Sequence, residues 1–251
     1  MEWKNDIKTL DHILKIKKMN KQMIELQSSI LSVVDQNRSI ESLLYLLQKH
    51  QIFNDNFKFH DFLILLNKIS STKYLSNEKK VINEIILRIK DEIVETFSKN
   101  EIFLFFKDNV AVLLCLYENK IIDFEQFSDY PSYELYHFFW PEYIENEGSE
   151  RVDYLIGDII KPYRSDSNQF CIDRLEYHSD ATIAKLIRSD DIESFQNFIA
   201  RTNLPLNSKI KDSIYEINSD IRNMCNSLIE YAAIFGSIKI FKFLFYRLDE
   251  M

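Results

Sequence analysis

SLIEYAAIFGSIKIFKFLF, residues 227–245, decides how the chain is read. Ser227 stands directly before an apolar-periodic run, where a hydroxyl caps a helix by accepting from its free backbone N–H groups. Ala232 and Ala233 are paired small side chains, which let a neighbouring unit approach closely. Gly236 ends that first helix, where a left-handed backbone is cheap only for glycine. In the helix that follows, Ile240 or Phe241, then Leu244 and Phe245, form the inward face. The stretch predicts a short helix, a tight turn and a second helix.

A weaker copy lies upstream. TIAKLIRSDDIESFQNFI, residues 182–199, places Asp190 where Gly236 stands, and Phe198 and Ile199 follow it as Leu244 and Phe245 follow Gly236. Ser189, Asp190 and Asp191 then form the turn between two helices, with acids favoured at a helix start by the dipole.

Set beside the ankyrin pattern T-P-L-H-x-A-A-x-x-G-x-x-x-x-V-x-x-L-L, residues 227–245 agree position by position. Ser227 takes the Thr place and Ile229 the Leu place. Leu228 departs from the usual Pro, and Glu230 from the usual His. The two copies are offset by 46 residues, Asp190 to Gly236, against about 33 in an ordinary ankyrin repeat. The excess falls in residues 201–226, which hold Pro205 and many Asn, Asp and Ser. This resemblance implies an enlarged hairpin finger there. Together with IFLFFKDNVAVLLCLYENKIIDFEQF (102–127) and YHFFWPEY (136–143), the chain resembles a divergent ankyrin family expanded in some protists. Those proteins carry a helical N-terminal region followed by repeats, the first with an extended finger. The resemblance is strong from about 181 onward, moderate from about 100 and general before that. It implies a protein-interaction scaffold with no activity, cofactor or catalytic residue to carry over.

The chain outside this region reads as helical. There are only three glycines, Gly148, Gly157 and Gly236, in 251 residues, against about eighteen at the usual frequency of roughly 7%. No two are near enough to build a phosphate-cradling loop, so clustered-glycine nucleotide motifs and the nucleophile elbow are excluded. Neither Gly nor Pro occurs before Pro131, a length of chain that tight-turned β architectures do not tolerate. Apolar periodicity predicts helices over 5–34, from Ser39 through Leu47, over 57–69 and over 76–97, the last with Val81, Ile82, Ile85, Ile86, Ile89, Ile93 and Val94 in one stripe. Shorter units follow at 100–106, 109–118, 123–127, 132–139 and 151–160, with Asn or Asp making turns in place of glycine. ENEGSE (145–150) reads as a loop, and KPYRSDSN (161–168) as a linker with a boundary near 165. The expected fold is therefore all-α. A helical N-terminal domain of stacked helix pairs (1–165) precedes a short ankyrin-type helical solenoid (178–251), made of a degenerate repeat at about 181–200, the finger at 201–226 and a clear repeat at 227–247.

Charge and composition narrow the partners. A net charge of −8 argues against nucleic acid, which needs a basic footprint. Cys115, Cys171 and Cys225 form no CxxC pair and fit a reducing compartment. The charged start lacks a signal-peptide core, and no apolar run reaches membrane-spanning length, so a cytoplasmic protein is expected, with the nucleus also open. Lys15, Lys17, Lys18 and Lys21 cluster on one helix side, which a solvated face explains more simply than a membrane surface. The five histidines have no metal-ligand spacing, and His60-Asp61 reads as a surface pair.

A non-enzymatic protein-interaction module is the favoured reading, with contacts from the finger (Lys209, Lys211, Tyr215, Arg222) and the clear repeat (Glu230, Tyr231). The alternative is an enzyme with an unrecognised site near His137 and Trp140 in the aromatic segment 133–143 (YELYHFFWPEY), for which core packing is the simpler account. Ile240, Phe241, Leu244, Phe245 and Tyr246 give the last helix an apolar character. That end is expected to self-associate or to be covered by the N-terminal domain, or the chain is a truncated gene product.

Overall fold

Residues that alternate at helical spacing form helices throughout. The computed structural model describes residues 19–72, 76–211, 213–217, 221 and 227–249, and among these every regular element is helical. The chain is all-α, as its composition predicts. The expected helix before residue 19 lies outside the described residues. Two compact units divide the chain, with the change at Ile122/Asp123.

In the first unit, α1 (residues 19–34) buries Leu26, Ile30, Val33 and Val34, one face at helical spacing. A turn at 35–39 leads into α2 (Ile40–Lys49), whose inner face is Ile40, Leu43 and Leu47. His50 ties the two together, with Nε2 3.0 Å from Glu25 and Nδ1 3.3 Å from Gln22. Helix α3 (Asn56–Thr72) buries Phe59, Phe62, Leu63 and Leu66.

The helix predicted over 76–97 is two helices, α4 (Ser76–Arg88) and α5 (Lys90–Thr96). They part at Ile89, whose N–H donates to the Ile86 carbonyl three residues back, at 3.2 Å. The Lys90 ammonium reaches the Asn119 carbonyl at 2.9 Å, and Val94 is exposed rather than part of the stripe. A tertiary contact accompanies the break, and no Gly or Pro marks it.

Helix α6 (Lys99–Phe106) opens with a capping box, Ser98 and Glu101 satisfying each other's N–H groups. Helix α7 (Val110–Glu118) has every residue from Val110 to Leu116 buried, and a helix apolar all round belongs inside. Asn109 caps it and also donates to Asn67, which in turn donates to the Phe105 carbonyl. Within α7, burial pushes the Cys115 thiol up to about 12, which favours the protonated form.

The second unit opens with α8 (Phe124–Asp129), α9 (Tyr133–Phe138), α10 (Trp140–Glu147) and α11 (Ser149–Ile160). The loop expected at 145–150 shrinks to Gly148 alone, at φ 86° and ψ 164°. The linker expected at 161–168 is instead a 3₁₀ turn (Arg164–Asp166) running into α12 (Ser167–Asp173). Phe170 is buried there, its ring 5.1 Å from Trp140 and 5.2 Å from Tyr215. Contacts across 165 place the division at 122/123 rather than near 165, because the segment after 165 completes the core begun by α9 and α10.

Gly157 lies inside α11, where a Cβ would meet only the Asp153 side chain, at 3.7 Å or more. That is ordinary contact, so no packing reason requires glycine. Gly157→Ala is expected to stabilise the protein by about 1 kcal/mol through helix propensity and lost unfolded-state entropy, read as a raised urea midpoint. An unchanged or lowered midpoint would contradict this.

Two helix pairs complete the unit: α13 (Thr182–Arg188) with α14 (Ile192–Thr202), and α15 (Leu228–Ile234) with α16 (Ile238–Asp249). They share one core, in which Ala184, Ile187, Phe195, Leu228, Tyr231, Ala232, Ile240 and Leu244 are fully enclosed. Burying an Ile, Leu or Phe of this kind stabilises by roughly 1.5–3 kcal/mol.

Candidate functional site

The two helix pairs have matching turns. Asp190 (φ 50°) and Gly236 (φ 66°) both adopt the left-handed backbone, at the positions their alignment predicts. Asp tolerates this conformation better than most residues with a Cβ. The turns also bond to each other. Ser237, which precedes α16, gives its hydroxyl proton to the Ile187 carbonyl in the last turn of α13. The Asp190 carboxylate accepts from the backbone N–H groups of Lys239 and Ile240 at 3.0–3.2 Å. A helix leaves its first N–H and last C=O groups unsatisfied, so each turn supplies what the other lacks.

Helix starts are capped locally as well. Asp191 accepts from Ser194 N–H, which holds its carboxyl below the usual range. Ser227 and Glu230 form a full capping box at α15. The Glu230 carboxyl is held low by the Ser227 backbone N–H and hydroxyl.

Inside the core, Tyr231 is fully buried and its hydroxyl accepts from Arg188 at 2.9 Å. Burial pushes that phenol up to about 12. Arg188 also donates to the Ser179 carbonyl at 2.9 Å, which anchors the chain just before α13.

The segment after α14 leaves through Asn203, left-handed at φ 50°. Lys209 then pairs with Ser227 in an isolated antiparallel bridge, and the Leu228 N–H donates to the Ser208 carbonyl. Lys209 and Lys211 are exposed. Beyond them the described residues turn inward. Tyr215 is buried, with its ring 5.4 Å from Tyr163 and 5.2 Å from Phe170, and burial raises its phenol. Glu216 is buried against His178, Oε1 to Nδ1 3.1 Å, and accepts from the Ser179 N–H through its other oxygen. Ser213 donates to Asp180, and Ile221 enters the helix-pair core.

These placements correct part of the predicted contact set. Tyr215 and Tyr231 face inward and are not available to a partner, because each supplies an aromatic body that the core encloses. Glu230 is exposed, but its carboxylate is engaged by Ser227. Lys209 and Lys211 remain at the surface, and Arg222 lies outside the described residues. On α16 the inward residues are Ile240 and Leu244, whereas Phe245, predicted inward, is exposed. Sequence reasoning missed the Asp190 cap and the Arg188–Tyr231 and His178–Glu216 bonds. Only the first left a signal, in the alignment of Asp190 with Gly236.

The aromatic segment is packed on itself. Trp140 is buried, the Tyr136 and Tyr143 rings stack at 4.2 Å, and the Tyr143 hydroxyl donates to the Phe127 carbonyl. The His137 ring lies 3.8 Å from that of Tyr133. Arg174 is enclosed there, donating to both Glu142 oxygens at 2.9 and 2.5 Å and to the Phe138 carbonyl at 3.1 Å. Its guanidinium lies over the Phe138, Phe139 and Phe170 rings. His60 and Asp61 form a half-exposed pair at 3.3 Å. Among the described residues no group of three or more His, Cys, Asp or Glu side chains could hold a metal ion. No described helix is long and apolar enough to cross a membrane.

No protein-family model, no curated protein and no solved structure matches this chain.

Proposed function

We propose that the chain is a non-enzymatic protein-interaction scaffold built on two ankyrin-type repeats, the α13–α14 and α15–α16 pairs. The observation that carries this reading is the reciprocal capping of the two turns, Ser237 to Ile187 and Asp190 to Lys239 and Ile240. Units joined in this way present a continuous surface from one pair to the next, which suits recognition of another protein. The packed aromatic segment favours a structural role over a reactive one, since its rings fill the space a substrate needs. The working place is the cytoplasm, with the nucleus compatible.

The partner surface is centred on two exposed cations, Lys209, whose backbone bridges to Ser227, and Lys211 two residues on. Full-length protein used as bait in an extract of its native cells is expected to retain a defined set of proteins. A Lys209→Glu/Lys211→Glu variant is expected to recover about tenfold less of the principal one. Equal recovery by the two baits removes this surface from the proposal.

A further inference from the structure

Two exposed helix faces of the second unit carry opposite charge patterns at the same spacing. On α16, Ile238, Phe245 and Tyr246 are 62%, 48% and 65% exposed. Lys242 is also exposed and lies among them, four residues after Ile238 and three and four before the aromatic pair. Residues three and four apart share a helix face, so the surface is a cation ringed by apolar side chains. On α11 the arrangement is inverted. Tyr154 is 89% exposed, with Glu150 and Asp158 one turn to either side and Leu155 beside it. Arg151, the cation on that helix, is paired with Glu147 at 3.1 Å, and Asp153 is paired with Arg164. Glu150 and Asp158 therefore flank Tyr154 with two negative charges, and the exposed Lys161 at the helix end lies one turn beyond Asp158, outside the pair.

We infer that α16 of one molecule docks on α11 of a second copy of the same chain. Lys242 inserts between Glu150 and Asp158 over the Tyr154 ring, a cation–π contact reinforced by two carboxylates. Ile238, Phe245 and Tyr246 cover the apolar body of Tyr154 and Leu155. An aromatic centre with a matched charge is the kind of cluster that dominates an interface. Each molecule carries both faces, so a two-fold arrangement makes the contact twice and closes the assembly as a dimer.

Sedimentation velocity on the full chain over a wide concentration range tests this. The wild type is expected to pass from chain mass to twice that mass as concentration rises. Lys242→Glu alone and Asp158→Lys alone are each expected to weaken association by about tenfold or more. A mixture of the two variants is expected to associate again. In one of its two contacts the reversed charges face each other and attract, and the other contact keeps the wild-type pair. Thermal melts check that each variant is folded, which their exposure favours. Should either melt early, Glu150→Lys and Tyr246→Ser probe the same faces. A wild type that stays monomeric throughout overturns the inference. So does association that both charge reversals leave unchanged, or a mixture that fails to recover. Binding of the monomer to vesicles of anionic phospholipid, without self-association, would assign the α16 face to a membrane and would also overturn it.

Discussion

Arg174→Ala is expected to lower the free energy of unfolding by about 3–5 kcal/mol, the usual effect of removing one member of a buried ion pair. Arg174 is 3% exposed and bonds both oxygens of Glu142, which is itself largely enclosed. Alanine leaves that carboxylate without a cation in an apolar setting, and removes the donor to the Phe138 carbonyl. It also leaves space among Phe138, Phe139 and Phe170, whose rings the guanidinium covers. Most of the loss comes from the stranded charge, so Arg174→Met with Glu142→Met is expected to recover all but about 1–2 kcal/mol. Urea titrations of the two variants separate the contributions. A single variant within about 1 kcal/mol of wild type would show that water reaches the Glu142 carboxylate.

Asp190→Ala has the second largest expected effect, a loss of about 2–3 kcal/mol. Two costs combine in that figure. The side chain caps α16 from the preceding helix pair, and loss of a cap costs about 1–2 kcal/mol. Alanine also adopts the left-handed backbone less readily than Asp, at φ 50° here. Asp190→Gly separates the two, because glycine accepts the backbone and removes only the cap. Asp190→Asn is expected to lie nearest wild type, since it keeps an acceptor oxygen and tolerates the backbone. The order Asn, Gly, Ala in the denaturation midpoints is the result that supports this account. Equal midpoints for Gly and Ala would locate the whole effect in the cap.

The same two positions show how far local pattern reaches. Asp190 aligns with Gly236 on local grounds: the spacing of apolar residues, a capping Ser or Asp, and a residue able to turn left-handed. Those signals act within a few residues, and helices α6 to α9 and α11 fall close to their predicted limits for that reason, whereas α10 has no predicted counterpart and runs through part of the expected loop. The segment 161–168 departs from the expected linker because its polar, Pro-containing composition describes its own solvation. That composition says nothing of the core that Phe170 and Arg174 enter just after it. The break at Ile89 likewise has no local marker.

Among the predicted contact residues, local pattern placed Lys209 and Lys211 at the surface but not Tyr215 or Tyr231 within the core. A tyrosine suits a surface and an interior equally, and which it occupies depends on what packs against it. By itself, then, the sequence determined an all-α chain, its short capped helices and the two matched turns, because each is settled by neighbours a few residues away. The tertiary structure alone decided the boundary at 122/123, the Arg174–Glu142 and His178–Glu216 pairs, and the inward turn of Tyr215. Those pairs join residues 32 and 38 positions apart, and only the folded core brings such groups together and removes the water that would otherwise satisfy them.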